Sequence, residues 1–235
     1  MNNKWMKVIA AFAGLFIVVG LVLNWACILC FDSKFYADEY RKLNTAQEIG
    51  MSEEDLGRAT ETLLDYLTDK REDLDVTAVI KGQEREVFNE REKAHMVDVK
   101  ALYQGAVLVG NLLLAAGVVF MVWTLLLKKR RRAALDGYLI GNGVFFVLLV
   151  GIGLFAALDF NAFWTGFHQI FFTNDLWLLN PSTDILIMMV PGQFFFDLVM
   201  RIAIASLITI GALFAAAALA VHRIKSGRRW LYELS

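Results

Sequence analysis

The sequence predicts an all-α integral membrane protein: four transmembrane helices, a small extracellular α+β cap and an interfacial aromatic-rich segment. Three observations lead there. Hydrophobic residues make up 57% of the 235 residues, against about 45–50% in soluble domains. They are gathered into four long runs, at 8–29, 106–127, 139–158 and about 198–220, and about 20 such residues suffice to cross a hydrocarbon core of about 30 Å. The net charge of −1 conceals a strong division between basic and acidic stretches.

In lipid every backbone N–H and C=O must be satisfied internally, so runs of this length have to be helical. The first run follows Lys4 and Lys7 and is too long for a signal-peptide core. Asn24-Trp25-Ala26-Cys27 makes a poor lipobox, which leaves an uncleaved first helix as the expectation. Cys27 and Cys30 form a CxxC without the βαβ surroundings of a thioredoxin-like redox pair, so they read as small packed residues.

Basic residues mark the cytoplasmic side. Lys128-Lys129-Arg130-Arg131-Arg132 lies between the second and third runs, and Arg223, Lys225, Arg228 and Arg229 follow the fourth. The charges therefore place both termini inside. The resulting plan is a first transmembrane helix at 1–30, an extracellular cap at 31–104, and a second helix at 105–127. A cytoplasmic loop at 128–137, a third helix at 138–158 and an extracellular interfacial segment at 159–197 follow. The fourth helix covers 198–222 and a cytoplasmic tail 223–235. Residues 31–105 hold 18 acids and 11 bases. The basic run is thus a topology signal rather than a nucleic-acid site, and no nucleic-acid partner is expected.

Within the cap, Ser52 ahead of Glu53, Glu54 and Asp55 reads as a helix start. Leu56, Ala59, Leu63, Leu64 and Leu67 continue it as one apolar stripe. The stretches 76–80 and 86–88, around a turn containing Gly82, suggest a short hairpin, and from about Glu90 the pattern is helical into the second span. The second outer segment carries Phe160, Phe163, Trp164, Phe167, Phe171, Phe172, Trp177, Phe194, Phe195 and Phe196. Such aromatics favour the membrane interface, either as a plain anchoring belt or as the lipid-facing floor of a site.

Of three histidines, His222 abuts the basic tail. His95 precedes the second span and His168 follows the third, each by about ten residues. Both should lie at similar depth near the outer interface, where they could pair. On a helix, Glu92 and Asp98 flank His95 at i−3 and i+3 and could orient its ring, or could be a solvated charged face. Asp197 and Arg201, spaced i, i+4, suggest a paired arginine at the mouth of the fourth helix. There is no HExxH, GxSxG, P-loop or Rossmann glycine pattern. His95, His168 and a carboxylate could recruit zinc, but no metal-ligand spacing supports it. Neither metal nor cofactor is expected. The residues alone leave open a metal-dependent membrane hydrolase and a non-catalytic sensor or assembly protein.

Two stretches carry a resemblance. Phe88-Asn89-Glu90-Arg91-Glu92-Lys93-Ala94-His95-Met96-Val97-Asp98-Val99-Lys100 resembles the first motif of the lipoprotein intramolecular transacylases of Gram-positive bacteria, the Lit family. Phe167-His168-Gln169-Ile170-Phe171-Phe172, then Asp175-x-Trp177 and Asp184 through Pro191, resembles the second. The resemblance implies an acyltransferase of the cell membrane acting on diacylglyceryl-modified lipoproteins. It moves the sn-2 acyl chain to the α-amino group of the N-terminal cysteine and yields the N-acyl lyso-form. The catalytic pair implied is His95 and His168, supported by Glu92, Asp98 and Arg201, with Trp164, Phe171 and Trp177 holding acyl chains. Donor ester and acceptor amine share one molecule, so no protein nucleophile and no covalent intermediate are required. Which histidine is the base is left open.

Overall fold

The structure, a computed structural model, describes residues 2–233, with side chains as far as Ile224 and, beyond it, that of Ser226. The side chains of Lys225, Arg228 and Arg229 lie outside the described residues. Along the chain come α1 (Asn3–Leu29), α2 (Ser33–Leu43), α3 (Thr45–Ile49), α4 (Glu53–Leu67), β1 (Thr77–Ile80) and β2 (Gln83–Glu86). They are followed by α5 (Glu90–Leu126), α6 (Arg131–Leu158), α7 (Phe160–Phe171), α8 (Ile185–Met189) and α9 (Gly192–Glu233). The four long helices α1, α5, α6 and α9 are each apolar and long enough to cross a membrane. The chain is a mostly helical membrane protein with a two-stranded hairpin and an aromatic cluster.

The residues group into two compact units. The first gathers the chain up to Ala26, Val107–Leu154 and the stretch from Met200 onward; the second takes Cys27–Ala106 and Phe155–Val199. In the first, 39% of the most apolar stretch of α1 is buried, against 11% in α5 and 17% in each of α6 and α9. Helix α1 is therefore the most enclosed of the four. Leu108, Val119, Val147 and Ile208 stay exposed, as expected for faces whose solvent is lipid. Without a hydrophobic drive between helices in lipid, close approach at small residues holds them together. A Cβ on Gly137 of α6 would collide with the Lys7 carbonyl oxygen, and one on Gly117 of α5 would lie 2.8 Å from that of Ala13. Met6 and Ala10 pack there on Ala133 and Ala134, and Leu135 and Tyr138 on Ala217 and Val221. The basic run straddles a short connection: α6 begins at Arg131, so residues 127–130, with Lys128, Lys129 and Arg130, join it to α5.

The second unit is built on caps. Asp32 accepts from the Lys34 and Phe35 amides at the start of α2, and Asn44 closes it with φ 53°. Ser52 caps α4, its Oγ accepting from the Asp55 amide at 3.0 Å. Leu56, Ala59, Leu63 and Leu67 of the apolar stripe are buried, whereas Leu64 is only half-buried. Lys81 and Gly82 both take positive φ (52° and 82°), which makes a two-residue hairpin turn pairing Ile80 with Gln83. The second strand thus runs 83–86 rather than 86–88. Its four side chains are all polar and all exposed, so no apolar alternation advertises it, and the buried Val87 and Phe88 come after it. The hairpin is tied down by the Lys81 amide, which donates to the Gly50 carbonyl at 2.7 Å, and by Lys93 of α5, which reaches Asp75 and Glu86 at 2.7 and 2.9 Å.

A helix of 37 residues is about 55 Å long at 1.5 Å per residue, well beyond a hydrocarbon core. The apolar part of α5 begins at Ala106, so its first four turns, with His95, precede the spanning stretch. In the first unit, Gly137→Leu should force α6 off α1 and cost about 1–3 kcal/mol or more. A lower thermal midpoint in detergent than for the parent protein is the expected measurement.

Candidate active site

The site begins with the capping of α5. Asn89 Oδ1 accepts from the amides of Arg91 and Glu92 at 2.9 and 3.0 Å, and Glu92 Oε2 accepts from the Asn89 amide at 2.7 Å. This reciprocal pair is a capping box with Asn in the first place. The other oxygen of Glu92 accepts from the Leu186 amide at the start of α8, at 2.5 Å. Glu92 is 0% exposed, so one buried carboxylate terminates two helices. Burial raises its carboxyl above the ordinary range, while the backbone bonds from Asn89 and Leu186 oppose that.

Three more contacts join the first turns of α5 to the chain between α7 and α8. Asn89 Nδ2 donates to Asp184 Oδ1 at 2.8 Å. Arg91 donates to the Asp175 carbonyl oxygen and lies 3.7 Å from its carboxylate. Asn174 Nδ2 donates to Asp98 Oδ2 at 2.8 Å. Burial works to raise the Asp184 carboxyl, but bonds from Asn180, Thr183 and Asn89 outweigh it and hold it below the usual range.

These contacts bring the two histidines together. Their ring centroids are 6.2 Å apart, and the residues are 6% and 7% exposed. The surrounding wall is aromatic. Phe172 lies 5.2 Å from the His95 ring and 5.5 Å from that of His168. Trp177 lies 4.8 Å from His168, and Trp164 meets it edge-on at 4.9 Å. His168 Nδ1 is 2.8 Å from the Trp164 carbonyl oxygen. A carbonyl can only accept, so Nδ1 carries the hydrogen and Nε2 keeps its lone pair. His95 Nδ1 is buried without a hydrogen-bond partner among the described residues.

Both rings are held neutral. Burial lowers His95, with help from His168 and Arg91 and against the nearby Asp98 charge, to about 4. Burial also lowers His168, while its bond to the Trp164 carbonyl acts the other way. Among the described residues no group of three or more His, Cys, Asp or Glu is arranged to hold a metal ion.

The structure brings His95, His168, Trp164 and Trp177 into one cluster, and in the same unit it leaves Glu92, Asp98 and Phe171 outside that cluster. Glu92 gives both oxygens to backbone amides, not to the His95 ring, because an α5 start and an α8 start converge on it. Asp98 bonds Asn174, although its charge still reaches His95. Phe171 is 52% exposed and meets the cluster through Phe167, at 4.8 Å. The Asp197 carboxylate takes Lys42 at 2.5 Å and Gln193 at 3.1 Å, and Arg201 belongs to the other unit. Sequence reasoning passed over Phe172, Asn89, Asp184 and the Trp164 carbonyl. The first three stand inside the two motif stretches, but their partners are up to 95 positions away, and a backbone carbonyl leaves no mark in sequence.

Glu92→Gln should place an amide donor where an amide N–H already points. With one buried donor unpaired, about 1–3 kcal/mol of stability should be lost, read as a lower thermal midpoint with both histidines intact. A second expectation concerns pH. Each histidine's folded pKa is depressed, so the stability contributed by the neutral rings is complete above about 6.5, the ordinary histidine value. It drains as pH falls toward the His95 value of about 4. Ring NMR in micelles should find His95 neutral at pH 6; titration near 6.5 would contradict the burial argument.

Known proteins share this architecture. The lipoprotein intramolecular transacylase Lit from Bacillus cereus superposes with a TM-score of 0.78 at 19% identity, over 96% of this chain and 99% of that one. Structures of the same protein with one histidine replaced by arginine or by alanine give 0.68 and 0.69. Their identities are 19% and 18%, over 95% and 94% of this chain and 94% and 96% of theirs. No curated protein sequence matches the chain. At such identity the superpositions establish the fold. Membership rests on the family profile described as "Lipoprotein intramolecular transacylase Lit", which matches residues 10–195. The chain therefore belongs to the lipoprotein intramolecular transacylase (Lit) family, a family of membrane acyltransferases.

Proposed function

We propose that this chain converts diacylglyceryl-modified lipoproteins to the N-acyl lyso-form, with His95 and His168 as the catalytic pair. The observation that carries the reading is the pairing itself: two neutral, buried rings 6.2 Å apart, one with its tautomer fixed. The α-amino group of the lipidated cysteine attacks the sn-2 ester carbonyl. A tetrahedral intermediate forms, the C–O bond to glycerol breaks and an amide remains. The amine proton passes to His168 Nε2, whose lone pair is held available by the Nδ1–H bond to Trp164. His95 donates a ring N–H to the developing oxyanion. The proton on His168 then goes to the departing sn-2 oxygen, which leaves both histidines neutral and the glycerol carrying a free hydroxyl.

Two energetic arguments support this division. Ester and amine are tethered on one molecule, so holding them in contact can supply on the order of 7–11 kcal/mol of the barrier. An α-amino group near pKa 7.7–8.0 is partly free base at neutral pH, so a neutral histidine is sufficient as base. Trp164 and Trp177 pack on His168 and face the acyl chains; Phe171, exposed beside them, contacts lipid. The basic clusters support an orientation with both termini in the cytoplasm and the histidines on the outer face, where lipoproteins are displayed.

Expression in a host that makes only diacyl lipoproteins tests the reading. Mass spectrometry of a lipoprotein N-terminus should show an unchanged mass with the acyl group moved to nitrogen. His95→Ala and His168→Ala should each lower conversion by about 100-fold or more at equal membrane abundance. Release of free fatty acid with an unacylated amine would instead make the protein a hydrolase.

A further inference from the structure

Apart from the histidines, the second unit carries a groove of about 870 Å³ between α2 and α4, and the proposed reaction makes no use of it. Its buried wall includes Tyr36, Leu56 and Thr60, and Tyr40 Oη and Thr60 Oγ1 meet across it at 2.8 Å. Hydroxyl and amide groups of Ser33, Asn44, Gln47 and Thr68 border it. Glu53 and Glu61 stand on its α4 side. The cations on its border are already engaged: Arg41 with Asp38 at 2.9 Å and Lys70 with Asp65 at 3.4 Å. Among the described residues no cation pairs with Glu53 or Glu61.

Gly57 adds an independent observation. It sits inside α4, where glycine costs about 1 kcal/mol relative to alanine, and it lines the groove. A Cβ built on it would meet nothing within 4 Å, so no close helix contact accounts for the missing side chain. What its absence preserves is the open width of the groove. The Tyr40, Thr60 and Thr68 hydroxyls are already bonded within the protein, but an acyl chain lying there would offer nothing to the side chains of Ser33, Asn44 and Gln47, whereas an extended peptide offers them N–H and C=O groups and brings side chains to the acidic rim.

The groove also communicates with the histidines through rings in contact. Phe194 packs on Tyr36 at 5.0 Å and on Phe195 at 5.8 Å, Phe195 on Trp164 at 4.3 Å, and Trp164 on His168 at 4.9 Å. The wall of the groove is thus no more than about 20 Å from His168, the span of about six extended residues at roughly 3.3–3.6 Å each. Resting on the transacylase reading, we propose that the groove binds the polypeptide following the lipidated cysteine of the substrate. Basic residues in the part of that polypeptide lying in the groove meet Glu53 and Glu61.

The test uses synthetic diacylglyceryl-cysteine substrates with the full-length enzyme in micelles. One ends one residue after the cysteine, one continues for about ten residues with lysines in its distal half, and a third has glutamates there. The wild type should show a KM about tenfold lower for the long lysine peptide than for the short one, with equal kcat. Gly57→Trp fills the groove while replacing the poorest residue of the helix interior short of proline, so folding is retained. It should erase the advantage of length and leave the short substrate unchanged. Glu61→Lys should shift the preference toward the glutamate peptide. Equal KM for long and short substrates in the wild type overturns the proposal, as does a Gly57→Trp effect of the same size on both; a lipid or a second copy of the chain in the groove would give the first of these. If even the short substrate is not converted, the transacylase reading itself falls and takes the groove's assignment with it.

Discussion

The second unit depends on one buried carboxylate. Glu92 is enclosed, and each oxygen is taken by a backbone amide of a different helix, the one that begins α5 and the one that begins α8. Leaving an ionised group in such a place is tolerable only when its bonds are made. The same requirement makes the arrangement rigid. A shift of α8 against α5 would strand the charge, so the registry of the two elements is fixed at the start of α5. His95 rides one turn further on that helix, and its position inherits the precision of the cap.

Around that point a set of side chains performs the same task at lower energy. Asn89–Asp184, Arg91–Asp175 and Asn174–Asp98 all join the first turns of α5 to the chain between α7 and α8. The exposed pairs are each worth at most about 1 kcal/mol. Their value is cumulative and geometric, because they pin the connection on which Phe172 and Trp177 sit, and these two rings enclose the histidines. Motif residues that look like candidate acids and bases are, in the structure, mostly struts. On the proposed mechanism this follows from the chemistry: when ester and amine arrive on one molecule, accurate placement contributes more than another reactive group could.

Much of the fold was legible in the sequence because its physics is local. Twenty apolar residues in a row have no alternative to a helix in lipid, and Ser52 before three acids caps α4 from its nearest neighbours. The hairpin was legible only in part. Its turn carries glycine, but β2 is polar on both faces, and the pairing that defines it comes from the turn geometry at Lys81 and Gly82. The site divides in the same way. His95 and His168 could be selected as two histidines at one depth, whereas the role of Glu92 could not, since the amide it holds at Leu186 is 94 positions distant. Asp98 shows the limit clearly: helical spacing put it beside His95, and a side chain from 76 positions away claimed its oxygen.

The neutrality of the two rings follows from this placement. A histidine beside an unengaged carboxylate would be drawn toward the imidazolium form and lose its value as a base at neutral pH. Here Glu92 and Asp184 spend their oxygens on amides and Asn89, and Asp98 is occupied by Asn174. Burial then prevails at both rings, against the opposing pull of Asp98 on His95 and of the Trp164 carbonyl on His168. An aromatic enclosure without an available counter-charge is costly for an ion and inexpensive for a neutral imidazole. The same residues that fix where the histidines lie therefore fix their protonation, and a neutral pair is what the proposed acyl migration requires: one ring with an open lone pair, the other with an N–H to give.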